Sequence, residues 1–144
     1  MKILVINPGS TSTKWAIYND RELVWKSTRQ HSADELSHFS HVLDQLPMRV
    51  DATRHALDEA QQPMDFDVVI ARGGLLKPTP SGVYEVTDRI ISDLLHAELE
   101  HACNLGALIA RDIADEAGCN AYIADPEVVD EMMPEARLTG IPEI

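Results

Sequence analysis

Apolar residues run unbroken from Ile3 to Ile6 and then give way to small polar residues around Pro8 and Gly9. A continuous Ile/Leu/Val run predicts a strand over residues 2–6, covered on both faces. Alternation over residues 13–18 predicts a second strand, and residues 22–27 a third after the turn-forming segment YNDRE. Three strands joined by short loops read as a meander.

Helical spacing then takes over. Ser32 followed by Glu35 is a capping-box pattern, and Leu36, Phe39, Leu43 and Leu46 supply an apolar stripe behind it. Pro47 is expected to end that helix, with a second helical segment over residues 50–61. Residues 66–71, FDVVIA, form another predicted strand that runs into Arg72, Gly73 and Gly74 and a proline-punctuated loop. Helices are expected over residues 88–98 and 102–117. In the second, Ala102, Leu105, Ile109, Ile113 and Ala117 share a face, and Gly118 can close it. Residues 121–124 predict a short strand, and residues 126–133 a further helix or turn.

Strands alternating with helices after an initial meander define an α/β domain. Asn7, Arg72 and Asp125 each follow a predicted strand, and in open α/β sheets ligands bind beyond the carboxyl ends of the strands. The three exits therefore mark the expected site.

Charge narrows the partners. Twelve basic against 24 acidic side chains give a formal charge of -12, with no basic tract to hold nucleic acid or an anionic membrane. A small anionic ligand stays compatible, because a few local cations dominate within a screening length of about 8 Å. Cys103 and Cys119 lack metal-ligand spacing and read as structural thiols, and the histidines form no metal triad. The apolar start is too short for a signal peptide and no 18-residue apolar stretch occurs, so a cytoplasmic location is expected. The apolar ending RLTGIPEI suggests an amino-terminal piece of a longer protein.

The loop NPGSTSTK has neither the glycine-lysine pair of a Walker A motif nor three glycines for a dinucleotide. Gly9 with the hydroxyls of Ser10, Thr11, Ser12 and Thr13, and Lys14 just beyond, suits phosphate oxygens. A type II turn at Pro8–Gly9 flanked by ordinary turn formers explains the same residues. Arg72 is either a planar fork for carboxylate or phosphate, with Gly73 and Gly74 admitting a ligand to the backbone, or a surface arginine beside a turn. Asp125 either organises Mg2+ or caps a helix starting at Pro126. His101 and Asn104 at a helix start are candidate substrate contacts, or a cap beside a core thiol.

Four blocks, INPGSTSTK, RGGLLKPTPSGVYEV, HACNLGALIA and ADPEVVDEMMPEARLTGIPEI, resemble in order the amino-terminal part of the butyrate kinases. These belong to the acetate kinase family of carboxylate kinases, within the actin, sugar kinase and Hsp70 superfamily. The resemblance implies a ribonuclease-H-like domain, the first of two in the family, so that residues 1–144 would lack the second. It implies ATP-dependent phosphorylation of butyrate to butyryl phosphate, with ATP and Mg2+ as cofactors, short-chain carboxylate and acyl phosphate as partners, and a homo-oligomer. The rival readings are an inactive amino-terminal fragment and a kinase for a related short or branched acid.

By the same resemblance, Asn7 matches an asparagine near phosphate and metal, and Ser10, Ser12 and Lys14 lie in the signature loop. Asp125 matches an aspartate assigned to metal and transition-state organisation, and Arg72 the arginine of the butyrate kinase RGG motif. Acetate kinases instead place arginine at the position of Val69 and histidine at that of Arg72, which points away from acetate.

Overall fold

A computed structural model describes residues 1–137. The last seven residues of the fourth resembling block, 138–144, lie outside the described residues, as does most of the apolar ending.

Six strands form one sheet in the order β3-β2-β1-β4-β6-β5. Strands β1 (Lys2–Pro8), β2 (Ser12–Asn19) and β3 (Glu22–Gln30) make the expected antiparallel meander. Strand β4 (Val68–Arg72) runs parallel to β1, and β6 (Asn120–Ala124) parallel to β4. The short β5 (Val83–Glu85) completes the sheet antiparallel to β6. This is the mixed sheet expected of a ribonuclease-H-like domain.

Helix α4 (Asn104–Ala117) packs on β1, β4 and β6, with α2 (Leu46–Glu59) and α3 (Asp88–Leu95) beside it. Leu4, Ile6, Ile17, Val69 and Ile123 meet Leu105, Ile109 and Ile113 in the core, all fully buried. Each such side chain contributes about 1.5–3 kcal/mol by leaving water. Gly118 closes α4 in the left-handed conformation, as its sequence position predicts.

The unbroken apolar run in β1 predicts cover on both faces. Leu4 and Ile6 are buried under the helices, while Ile3 and Val5 are only half-buried, because the described helices pack on one side. The helix expected from Ser32 is also shorter than its stripe suggests. Ser32 caps α1 (Ala33–Ser37) through the Glu35 N–H at 3.0 Å, but the Glu35 carboxylate turns to Arg29 instead of completing the box. Ser37, His38, Phe39, Ser40 and His41 are weak helix formers, and the chain leaves the helix there.

Pro47 starts a helix rather than ending one. It sits in the first turn of α2, where its missing N–H has no intrahelical partner to lose. Strand β5 lies inside the expected loop, recruited by the open edge of β6. Residues 126–133 form no helix; a 3-10 turn follows at Pro134–Arg137.

Candidate active site

Strand register assembles the carboxyl edge. Ile6 pairs with Ala71 across β1 and β4, and Arg72 pairs with Ala124 across β4 and β6. Asn7, Arg72 and Asp125 therefore stand side by side along one edge of three parallel strands. Alternation sends Ile6 and Ala71 under the helices and turns Asn7 and Arg72 to the opposite, open face. Lys14 is paired directly with Asn7 across β1 and β2, so it shares that face. Asn7, Lys14 and Arg72 are all exposed.

The loop over residues 9–12 is a tight connection closed by the Gly9 N–H donating to the Ser12 carbonyl at 2.7 Å. Gly9 does not adopt a positive φ, so the expected type II turn is not what forms here. The hydroxyls of Ser10, Thr11 and Ser12, the Asn7 amide and the Lys14 ammonium make no hydrogen bond or ion pair to another described residue. Thr13 differs. It is fully buried, and its hydroxyl lies 2.9 Å from His31 Nε2 and 3.1 Å from Arg49 Nη1.

Arg72 closes β4 with its guanidinium Nε 3.0 Å from Glu127 Oε1. The other Glu127 oxygen, Oε2, is buried without a hydrogen bond of ordinary geometry. Cys103 is close enough for that carboxylate to act on it. Burial, then Glu127, push the thiol up to about 11, so it stays protonated at neutral pH. His101 Nδ1 accepts from the Cys103 N–H at 3.3 Å and lies 2.9 Å from its sulfur. That assignment leaves the ring proton on Nε2.

Gly73 and Gly74, the expected doorway for a ligand, are places where only glycine packs. Both are buried, and a Cβ on Gly73 would stand 2.4 Å from Pro126 Cβ. On Gly74 it would stand 2.6 Å from Leu94 Cδ2 and 2.8 Å from Asn104 Cα. The Asn104 amide is committed at both ends. Its Oδ1 accepts from the Leu75 N–H and its Nδ2 donates to the Leu99 carbonyl, each at 2.9 Å. Asn104 thus fastens two loops.

Asp125 adopts a positive φ of 43°, and no helix follows for it to cap. Its Oδ1 accepts from the Gly82 N–H at 2.8 Å, tying β6 to the turn before β5. Among the described residues no three His, Cys, Asp or Glu side chains gather as a metal cluster. One exposed carboxylate and one exposed amide suit Mg2+, which binds few protein ligands and takes the rest from phosphate and water.

Beside the edge lies a cleft of about 510 Å³ lined by Leu75, Leu76, Pro78, Ala97, Leu99 and Val128, with Lys77 and His96 among its polar residues. Val83 does not line it and is 64% exposed. Arg49 and Glu127 escaped sequence reasoning, whereas Leu75 and Leu76 stand where the sequence offered an apolar wall. The signal for Glu127 was its place two residues after Asp125; Arg49 gave none.

No family model matches the chain. In sequence it is 62% identical over 144 residues to a probable butyrate kinase of Phocaeicola vulgatus, covering 100% of this chain and 41% of that protein. It is 42% identical over 145 residues to butyrate kinase 1 of Clostridium acetobutylicum, covering 99% and 41% respectively. In structure it resembles the acetate kinase of Porphyromonas gingivalis with a TM-score of 0.60, at 17% identity over 98% of this chain and 41% of that one. The chain spans about two fifths of the length of the curated relatives it matches. Over its whole length the chain corresponds to the amino-terminal portion of the butyrate kinases.

Proposed function

We propose that this chain is the first ribonuclease-H-like domain, and one wall of the active-site cleft, of an ATP-dependent carboxylate kinase that phosphorylates butyrate. The observation that carries the reading is the register that sets Asn7, Lys14 and Arg72 on one open face beside the serine- and threonine-rich loop. Similarity to relatives that are named butyrate kinases supports the same reading. A cytoplasmic location goes with this reading; among the described residues no helix is long and apolar enough to cross a membrane. The homo-oligomer expected from the resemblance belongs to the full-length parent.

A fatty-acid carboxylate is already ionised at neutral pH, so the acceptor needs no general base. Its oxygen attacks the γ-phosphorus, the bond to the bridging oxygen breaks, and ADP leaves with the electron pair. The difficulty is bringing two anions into line and stabilising charge on the transferring group. Arg72 offers a cation at the strand exit, with its Nε on Glu127 and the fork's other nitrogens unengaged by described residues. Ser10, Thr11 and Ser12 offer hydroxyls to phosphoryl oxygens, and Lys14 a supporting charge. Mg2+, held by Asn7 and Asp125 together with the nucleotide's phosphates, would neutralise phosphate charge.

The apolar cleft beginning at Leu75 and Leu76 gives the acyl tail a place to leave water. Each methylene accommodated changes discrimination by about 1–3 kcal/mol, so preference among acids is graded. Phosphorus NMR of the full-length parent with ATP, Mg2+ and acids of increasing length tests the proposal. A new acyl phosphate resonance, strongest with butyrate, is expected. ATP left unconsumed with every acid contradicts it and favours the inactive fragment.

A further inference from the structure

Arg49 is a fully buried residue in the first turns of α2, beneath the loop and outside every motif noted above. Its Nη1 donates to the Gly9 carbonyl at 2.9 Å, the Ser12 carbonyl at 3.2 Å and the Thr13 hydroxyl at 3.1 Å. Its Nη2 donates to the Ser10 carbonyl at 3.2 Å and to Gln45 Oε1 at 2.9 Å, and its Nε to the same Gln45 oxygen at 3.1 Å. The Thr11 carbonyl is taken separately by the His31 N–H at 2.8 Å. All four carbonyls from Gly9 to Ser12 are therefore taken by a protein donor, three of them by the buried Arg49.

Peptide geometry fixes what this does to the other side. In a planar trans peptide the C=O and the following N–H point in opposite directions. Turning the Gly9 and Ser10 carbonyls onto Arg49 turns the N–H groups of Ser10 and Thr11 away from it. Neither N–H donates to a described group. The loop thus presents donors outward and acceptors inward, the polarity an anion needs.

The charge is the second part. Every partner of the guanidinium is neutral, although burying an arginine ordinarily calls for a carboxylate. Glu35, the carboxylate whose field reaches it, is itself bound to Arg29 at 2.8 Å and to His31 at 3.3 Å. Burial pushes the Arg49 pKa down, yet a guanidinium keeps its proton at neutral pH. A positive charge without a counter-ion lies directly behind the outward donors.

We infer that Arg49 is the positioning residue of the phosphate loop: it sets the loop's outward N–H groups, and its buried charge is balanced by the phosphoryl anion bound on the far side. This rests on the loop's reading as a phosphate site.

Gln45→Glu tests the inference without dismantling the fold, since it keeps the acceptor for Nε and Nη2 and adds only a negative charge. The isotope-labelled chain is titrated with inorganic phosphate at constant ionic strength, following the Ser10 and Thr11 amide resonances and the melting temperature. The wild type should shift saturably. Gln45→Glu should bind at least about ten-fold more weakly with no loss of melting temperature, a split that a purely structural role would not give. Arg49→Lys, which keeps the charge but not the fork, should retain part of the phosphate response and melt lower. Equal phosphate affinity for the wild type and Gln45→Glu would overturn the charge role, and a wild-type-like Arg49→Lys the positioning role. If the wild type shows no saturable shift, the phosphate reading of the loop falls first and this inference with it.

Discussion

The guanidinium of Arg72 at the end of β4 and the carboxylate of Glu127, three residues beyond β6, meet at 3.0 Å, and the carboxylate also acts on the Cys103 thiol. Arg72 is 57% exposed and Glu127 22%, so water screens the pair and its worth to stability is about 0–1 kcal/mol. Its effect on the thiol is more specific. Replacing Glu127 with Gln removes a negative charge that disfavours the thiolate, so the Cys103 pKa should fall from about 11 toward the ordinary thiol value. Thiolate absorbance against pH, in a chain carrying Cys119→Ser, measures this. An unchanged titration would mean that Glu127 does not face Cys103.

Gly106 places the second constraint on this corner. A Cβ there would stand 2.4 Å from the Arg72 carbonyl oxygen, a backbone atom that cannot swing aside. Gly106→Ala should push α4 off the end of β4 and lower stability by about 1–3 kcal/mol in urea unfolding. Gly9→Ala is the contrast, because a Cβ at Gly9 meets nothing nearer than 3.6 Å. Its stability should change by less than about 0.5 kcal/mol. Equal losses for both would contradict the packing described.

His31 makes folding depend on pH. Burial, then the Arg49 charge, lowers its pKa from the ordinary 6.5, against the opposing pull of Glu35. A histidine whose folded pKa is depressed binds its proton more readily when unfolded. Its contribution is therefore fully present above pH 6.5 and is lost as pH falls through the unfolded pKa toward the folded one. The urea midpoint should rise between pH 5 and pH 7 by this term, and His31→Gln should flatten that rise. A rise of equal steepness in the variant would assign the dependence to other groups.

What the sequence made legible follows from what is local. The apolar run of β1, the alternation of β2, the Ser32 cap and the Gly118 stop are set by neighbours in the chain, and each element stands where expected, although β1 is covered on one face only. The polar residues at the ends of β1, β4 and β6 converge because parallel strands share one carboxyl edge. What stayed hidden needs distant partners. The packing of Gly73 and Gly74 is set by Pro126 and Asn104, which no local pattern announces. Asp125 looks like a helix cap until Gly82, 43 residues earlier, takes its carboxylate. Arg49 is invisible for a different reason: a charged residue between Pro47 and the helix expected over residues 50–61 reads as solvent-facing, and only the fold turns it inward.

The exposed cation at the exit of β4 is placed to act on the reacting groups, and Arg72→Ala in the full-length parent shows whether it does. The kcat/KM for butyrate should fall about a hundred-fold or more with the urea midpoint unmoved. Activity within a factor of about two of the unaltered enzyme, in a variant equally stable, would contradict it.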